Sequence, residues 1–542
     1  MVPIRSLLGV TWPAIAALSA AVVYLVVRVT ARRRWYRRHD IPQPPHHPIW
    51  GHLKLVGEYG KKVPGDYIQA PWTELKQDFN LPDIYYMDMW PAGPELIVCS
   101  GPEAAAIPTT VNSFAQSHLV AEVFGPVVGK TFIEATNGPL WKELHHMLAP
   151  GLTPSAVKTY HHLIIDEAEA LYNRLRRLAG SDDAVNMSLE LGRYPFAIIW
   201  EIIFGDKPDA SSHLYEAAKR LNDISGPTRP VAINPIQIWR EKREKAAIKK
   251  LIDEAIEKRT RSRFEELKSL KTLPTRVTAS CLLDRMLLDQ LQAGLPLDDR
   301  LLRLVQENVK GFLIAGFGTT ADASSYILML LSAFPEALRK LREEHDRVFS
   351  KDFDETLRLL RDEPNRVNDL HYTTAVINET LRLFPAGMII RQPPAEMTSF
   401  EYKGRTYPVR KGHIFGVLMY AIHYSPEVFE DPKAFRPERF LPSTATSGAA
   451  EEVPRNAFRP FERGLRSCMG QHLAMSEMKV LLVLLARWFD FELRDHEPAE
   501  RPRLRHTDLD TVLGKHAFQC GRFSAGPSGD VSMMVRLAAG SK

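Results

Sequence analysis

Ten residues toward the C-terminal end, Phe461-Glu-Arg-Gly-Leu-Arg-Ser-Cys-Met-Gly470, constrain this chain more than any other stretch. One cysteine, Cys468, is flanked by Arg463 and Arg466, whose positive charge favours a thiolate over a thiol. Gly464 and Gly470 let the backbone turn tightly and approach a flat ligand. Directly afterwards, Gln471 to Trp488 reads as an apolar helix, which places the sulfur at a helix N-terminus, where free N–H groups and the macrodipole also favour negative charge. The loop therefore reads as one that presents a cysteine sulfur to a metal. The plainer alternative is a buried structural cysteine.

Written as Phe-x-x-Gly-x-Arg-x-Cys-x-Gly, with Phe461, Gly464, Arg466, Cys468 and Gly470 filling all five fixed positions, the segment resembles the haem-binding signature of the cytochrome P-450 superfamily. The resemblance implies heme b, iron protoporphyrin IX, with Cys468 as the axial thiolate and Phe461, Arg466 and Gly470 about the cofactor. Such a thiolate pushes electron density onto iron and favours O–O cleavage.

With 542 residues, 45% of them apolar and 25% charged, the chain is ordinary globular material with length for a large core. The other cysteines, Cys99, Cys281 and Cys520, are widely spaced, so neither a disulfide framework nor a zinc cluster is suggested. The formal charge of +5 resides in the first 40 residues, where seven Arg face one Asp. This basic neck is no nucleic-acid surface, and no nucleic-acid partner is expected.

Ser6 to Val27 carries no charge and, at 1.5 Å per residue, makes about 33 Å of helix, enough for a hydrocarbon core of about 30 Å. A cleaved signal peptide would have a shorter apolar region. Arg28, Arg32, Arg33, Arg34, Arg37 and Arg38 follow the span against Arg5 before it, which puts the large C-terminal part in the cytoplasm. Ile41 to Pro48 reads as a stiff Pro-rich spacer, a pattern that also resembles microsomal members of the family. The sequons at Asn186 and Asn378 are discounted, the second because it falls in a core segment.

Residues 114–131 mix Gly, aromatic and small polar types, as a pocket-lining loop would. Within them Gly125-Pro-Val-Val-Gly-Lys-Thr131 has too few residues between its glycines for a phosphate loop. Trp141-Lys-Glu-Leu-His145 opens a helix ending near Pro150. The family has Trp-x-x-x-Arg here, with both side chains on haem propionates; Trp141 matches, while His145 replaces the Arg and donates fewer hydrogen bonds, with His146 one residue on. Residues 160–270 give amphipathic helices, and by analogy the stretch Pro195 to Pro235 covers the substrate channel.

Asp298 and Asp299 open a long helix carried to about Ser332, before Pro335. Its middle, Ala315-Gly-Phe-Gly-Thr-Thr320, resembles the family's oxygen-binding segment, which implies that Ala315 and Gly316 admit the backbone close to iron-bound oxygen and that Thr319 holds a water for proton delivery. The family's acid position holds Gly318 instead. Ordered proton delivery then needs a substitute, either an altered route in an oxygenase or a rearrangement or dehydration needing fewer protons. Asp322, one turn on, reads as solvated or capping. The same residues, Gly316 to Ala321, also fit Gly-x-Gly-x-x-Ala, the rival reading of a dinucleotide-binding oxidoreductase; that fingerprint needs a preceding strand.

Asp369 to Phe384 is another helix, with Glu379 and Arg382 on one face. Phe435-Arg-Pro-Glu-Arg-Phe440 resembles the family segment whose arginine, here Arg439, bonds to Glu379 and Arg382 in a structural network. Arg391 matches the second propionate-binding Arg, and Ala386 to Ile389 would face substrate. Residues 397–424 alternate like hairpin strands, and Gly521 to Leu537 suggests a final hairpin.

The fold class implied is mainly α (α+β), the cytochrome P-450 fold with a small β region and one N-terminal transmembrane helix. The organisation is a membrane anchor at 1–28, a basic Pro-rich linker at 29–48 and a haem-thiolate monooxygenase domain at 49–542. The resemblance implies hydroxylation or epoxidation of a lipophilic small molecule with O2 and NADPH-derived electrons, in fungal secondary-metabolite biosynthesis. NADPH-cytochrome P-450 reductase, with cytochrome b5, would be the partner, since no flavin or nicotinamide motif is present. The implied location is the endoplasmic reticulum membrane, single-pass. A non-enzymatic haem-binding membrane protein is the second rival.

Overall fold

The computed structural model describes residues 5–208, 213–225, 235–276, 278–441 and 453–539. The helices that position the site are, in chain order, α1 (Arg5–Arg38), α2 (Gly138–Leu148), α3 (His161–Leu178), α4 (Met187–Phe204), α5 (Leu214–Asp223), α6 (Pro235–Lys268), α7 (Asp299–Ala333), α8 (His371–Leu383) and α9 (Gln471–Leu485). Helix α7 runs through the middle, packed by α4, α6, α8 and α9. Its start is set by Asp298, whose carboxylate accepts from the Leu301 N–H at 2.7 Å, and its end by Pro335. Helix α4 is capped by Asn186 accepting from Leu189 N and closed by Gly205 at φ +80°.

The strands are β1 (Ile84–Asp88), β2 (Glu95–Cys99), β3 (Ala115–Gln116), β4 (Val185–Asn186), β5 (Ile389–Gln392), β6 (Ser399–Tyr402), β7 (Arg405–Pro408), β8 (His413–Val417), β9 (Phe489–Leu493), β10 (Gln519–Gly521), β11 (Ala525–Pro527) and β12 (Ser532–Leu537). The largest sheet has the order β1-β2-β8-β5-β3, with β2 and β8 parallel. Strands β4, β12 and β9 form a second sheet, while β6–β7 and β10–β11 are separate two-stranded pairs.

Three expectations change. The 397–424 stretch gives the β6–β7 hairpin and β8, but Met419–His423 is a buried helical turn. The final hairpin resolves into two units, because β12 leaves β11 and pairs with β9. Pro195 to Phe204 is no channel cover: it belongs to α4, where Phe196, Ile198, Ile199, Trp200, Ile202 and Ile203 are buried against the core. Residues 226–234 of the same expectation lie outside the described residues.

Helix α1 does not stop at the end of its apolar span. Within Ile15 to Arg38 an 18-residue window has a mean hydropathy of 1.7, with Leu18 68% exposed on the outside of the protein, as a membrane-facing surface requires. The helix then continues through the arginines into the β1–β2 edge. Arg33 is fully buried, bonding Asp88 Oδ2 at 3.1 Å and the Trp90 carbonyl at 2.6 Å, and Arg32 meets Glu95, which also accepts from Arg410 at 2.6 Å. Tyr36 is buried beside His46 and His413. The neck is thus helix as far as Arg38, and two of its arginines face the globular domain, because buried carboxylates attract guanidinium more strongly than a screened surface does.

Candidate active site

Cys468 lies in a turn whose closure is explicit: the Cys468 N–H donates to the Phe461 carbonyl at 2.8 Å and the Ser467 N–H to Gly464 at 3.0 Å. Gly464 adopts φ +88°, and a Cβ there would lie 2.4 Å from the Thr109 carbonyl oxygen, so only glycine fits. Gly470 has an ordinary φ of −84°; its bare α-carbon instead faces the sulfur, and a Cβ would stand 3.9 Å from Sγ. The expectation that Arg463 and Arg466 lower the thiol pKa is not met. Burial raises it and Glu134 adds to this, while the Gly470 and Gln471 amides at the start of α9 pull the other way. Arg463 points to the Phe458 carbonyl and Arg466 to Thr136, away from sulfur. Cys468 keeps accessible surface although protein packs around its sulfur, which leaves the thiol open to a ligand. Metal coordination deprotonates such a thiol outright.

A cluster of cations stands beside it. Arg466 donates to the Thr136 carbonyl at 2.7 Å and Asn137 Oδ1 at 2.8 Å, and its carbon centre lies 4.4 Å over the Trp141 ring. The Trp141 ring packs on His145, whose pKa is lowered by burial and by Arg466 and His146, leaving it neutral. Arg391 is buried on β5 opposite Gln116 of β3, and its guanidinium donates to the Gln116 side-chain oxygen Oε1. Gln116 in turn donates to Glu134, whose carboxyl is raised by burial and held back by Arg391 and Arg466. Burial pushes Arg466 down to about 10, and its Nη1 is buried without a hydrogen bond among the described residues. An unpartnered buried guanidinium nitrogen beside Arg391, Trp141 and His145 is a donor set that fits the carboxylates of a haem, as the open thiol fits its iron.

Helix α7 carries Ala315, Gly316 and Thr319. Between Asn308 and Leu331 the residues that are half-buried and not buried are Phe312, Ala315, Gly316, Thr319 and Asp322, a stripe at helical spacing on one side of an otherwise buried helix. Thr319 Oγ1 donates to the Ala315 carbonyl at 2.8 Å. Gly316 has a packing reason to be small, since a Cβ there would come within 2.9 Å of Ile199 on α4. Phe523, Phe124 and Phe132 form a continuous aromatic contact, and Phe132 also meets Phe312 edge-on. Asp322 is neither solvated nor a cap: Ser524 Oγ donates to its Oδ2 at 2.6 Å, and burial raises its pKa.

The structural network sits beneath the cysteine turn. Glu379 and Arg382 are fully buried, with Arg382 Nε at 2.7 Å and Nη2 at 2.8 Å from the carboxylate, and Arg439 Nε at 3.2 Å. Arg382 also donates to the carbonyls of His423 and Pro432. Two groups escaped sequence reading. Glu134 and Gln116 have no local signal, because their partner Arg391 is more than 250 residues away; Glu477 on α9 is buried against Thr320 of α7 with its pKa raised well above normal.

The Gly-x-Gly-x-x-Ala match lies inside α7 with helix before it, which removes the dinucleotide reading. The Gly125–Thr131 turn holds a carboxylate of its own: Thr131 N and Oγ1 donate to Glu307 at 2.6 and 2.7 Å.

The family model described as Cytochrome P450 matches residues 42–514. The chain is 30% identical over 498 residues to the cytochrome P450 monooxygenase acrF of Aspergillus aculeatus, covering 88% of this chain and 98% of that protein. It is 29% identical over 474 residues to the cytochrome P450 monooxygenase ptmJ of Penicillium ochrochloron, covering 86% and 87%. A bifunctional cytochrome P450/NADPH–P450 reductase 2 of Bacillus subtilis is 27% identical over 67% of this chain and 32% of that protein.

Proposed function

This chain belongs to the cytochrome P450 family and is a haem-thiolate monooxygenase, and from that premise we propose that Cys468 supplies the thiolate, with Arg391, Arg466, Trp141 and His145 around the propionates. The observation that carries the assignment is the accessible Cys468 thiol at the start of α9, beside the unpartnered Arg466 Nη1. Haem held in this way supplies activation of O2 and transfer of one oxygen atom to substrate.

The chain's own residues do the rest. Phe461, Gly464 and Gly470 shape the turn that presents Sγ. Thr319, with its hydroxyl on the Ala315 carbonyl, holds a hydrogen-bonding group on the half-buried face of α7. Phe124, Phe132, Phe312 and Phe523 exclude water and suit a lipophilic small molecule, and the fungal relatives support a secondary metabolite. Electrons come from a separate membrane reductase with NADPH, docking around exposed Lys142 and half-buried Arg463. The α1 span tethers the domain to the endoplasmic reticulum membrane on its cytoplasmic side.

The test is the difference spectrum of the dithionite-reduced, detergent-solubilised protein with and without carbon monoxide. A strongly red-shifted Soret band, lost in Cys468→Ala, is the expected outcome. A folded, haem-supplied preparation without haem would overturn the reading. Reversing the charges of Lys142 and Arg463 should slow the first electron transfer, and an unchanged rate would remove that docking face.

A further inference from the structure

The α7 position where the family carries an acid holds Gly318, and the surroundings of that glycine are polar. A Cβ on Gly318 would stand 3.3 Å from Ser524 Oγ and 3.5 Å from Asn222 Oδ1. The missing side chain thus leaves a notch between a hydroxyl from the β10–β11 turn and an amide oxygen from α5. Asn222 is 4% exposed, and its Oδ1 accepts no hydrogen bond among the described residues. A buried acceptor of this kind is strongly unfavourable unless something donates to it. Ser524 is already the donor to Asp322 Oδ2 at 2.6 Å, and the hairpin backbone lies so close that a Cβ on Gly526 would come within 2.2 Å of Asp322 Oδ1.

The same groups lead outward. Arg522, two residues before Ser524, is paired with Asp223 of α5 at 3.4 Å; Asp223 accepts from Lys219 at 2.8 Å, and Lys219 lies 3.7 Å from the half-exposed Asp530. The charged groups acting on Asp322 are therefore Arg522 on the hairpin and Asp223 and Lys219 on α5. Asp322 also shares the half-buried stripe with Thr319, three residues back.

We propose that the Gly318 notch binds a water, donated to Asn222 and bonded to Ser524, and that Asp322 and Ser524 feed protons through it toward Thr319 in place of the family's helix-borne acid. The proposal rests on the haem monooxygenase reading. In one passage the Ser524 hydroxyl turns from Asp322 to the water, the Asp322 carboxylic acid gives its proton to Ser524 Oγ as Ser524 gives its own to the water, and the water passes one onward toward Thr319. Asp322 is left as carboxylate and is reprotonated from the rim at Lys219 and Asp223. One proton moves and no electron does. The raised pKa of Asp322 suits a group that must be an acid before it donates. Ser524 and Asn222 act through the water and are positioning residues.

The test uses the full-length haem-loaded protein with an NADPH reductase and no added substrate, read as O2 reduction to peroxide and water in H2O and in D2O, since each of these products takes up one proton per electron. A high-resolution structure of the resting protein accompanies it. The expected structure has an ordered water bonded to both Asn222 Oδ1 and Ser524 Oγ, displaced in Gly318→Ala. Asp322→Asn and Ser524→Ala should slow O2 reduction about tenfold or more and enlarge the solvent isotope effect. Ser524→Ala with Gly318→Asp, which makes room and restores a carboxylate to α7, should recover the rate; a merely structural role predicts no recovery. A dry notch in the wild-type protein, or an Asp322→Asn rate and isotope effect within about twofold of wild type beside a normal carbonyl spectrum, overturns the relay alone. A protein that loads no haem overturns the haem assignment and the relay with it.

Discussion

Arg466 lays its guanidinium over the indole of Trp141, 4.4 Å from the ring centroid, while the same group holds the Thr136 carbonyl at 2.7 Å. The turn that carries Cys468 is thereby fastened to the start of α2. Removing the cation loses a contact of about 1–2 kcal/mol and the donors aimed at an anionic ligand. Arg466→Ala should therefore retain less haem than Trp141→Phe, which keeps an aromatic face. The Soret absorbance per mole of purified protein measures both.

Glu379 neutralises two buried arginines at once. With that carboxylate removed, Arg382 is left buried with only carbonyl oxygens to receive it, and breaking such a buried pair costs about 3–5 kcal/mol. Glu379→Gln keeps the shape and not the charge, so it should lower the thermal midpoint nearly as much as Glu379→Ala. A midpoint within a degree of wild type in the Gln variant would show that hydrogen bonding alone carries the network.

His423 gives a pH dependence. Its Nε2 faces the Arg459 N–H at 3.2 Å and must accept, so Nδ1 carries the proton and donates to the Arg382 carbonyl at 3.0 Å. Burial, with Arg382 and Arg459 nearby, lowers its pKa to about 3. The unfolded chain takes up this proton near the ordinary value of about 6.5 and the folded one does not, so stability is full above that pH and falls as pH drops toward 3. The loss should reach roughly 2 kcal/mol by about pH 5. His345, also lowered to about 3 by burial, adds to the same slope. Chemical denaturation across this range measures the slope, and a flatter one is expected in His423→Gln.

Gly464 tests the turn itself. Alanine there must hold φ near +88° and would collide with the Thr109 carbonyl, costing at least about 1–2 kcal/mol in backbone strain alone. Gly464→Ala should lose haem and thermal stability together, whereas Gly470→Ala, at ordinary φ, should lose haem with less effect on the unfolding of the haem-free protein.

What could be seen in the sequence was whatever depends on neighbours along the chain. The Cys468 spacing, the Asp298 cap and Pro335 stop of α7, and the Glu379–Arg382 pair one turn apart are all local patterns, and each lies where the spacing puts it. Side-chain direction was not legible. Arg463 and Arg466 flank Cys468 in sequence yet aim elsewhere, so burial decides the thiol's pKa. Gly316 and Ile199, Glu477 and Thr320, and Asp322 and Ser524 meet only because helices cross or a hairpin folds back, and no periodicity announces a partner more than 100 residues away.

The helix that carries the apolar N-terminal span is the same helix that enters the β1–β2 edge. Its last turns fill the places opposite Asp88 and Glu95, with Tyr36 sealed beneath His46 and His413. A shortened chain meant to dissolve without detergent has to be cut before Val29. Cutting at the Pro-rich segment instead would strip two guanidinium groups from buried carboxylates and open the sheet edge to water. The apolar segment is therefore separable from the globular domain only before Val29, because the turns beyond it are part of the sheet edge.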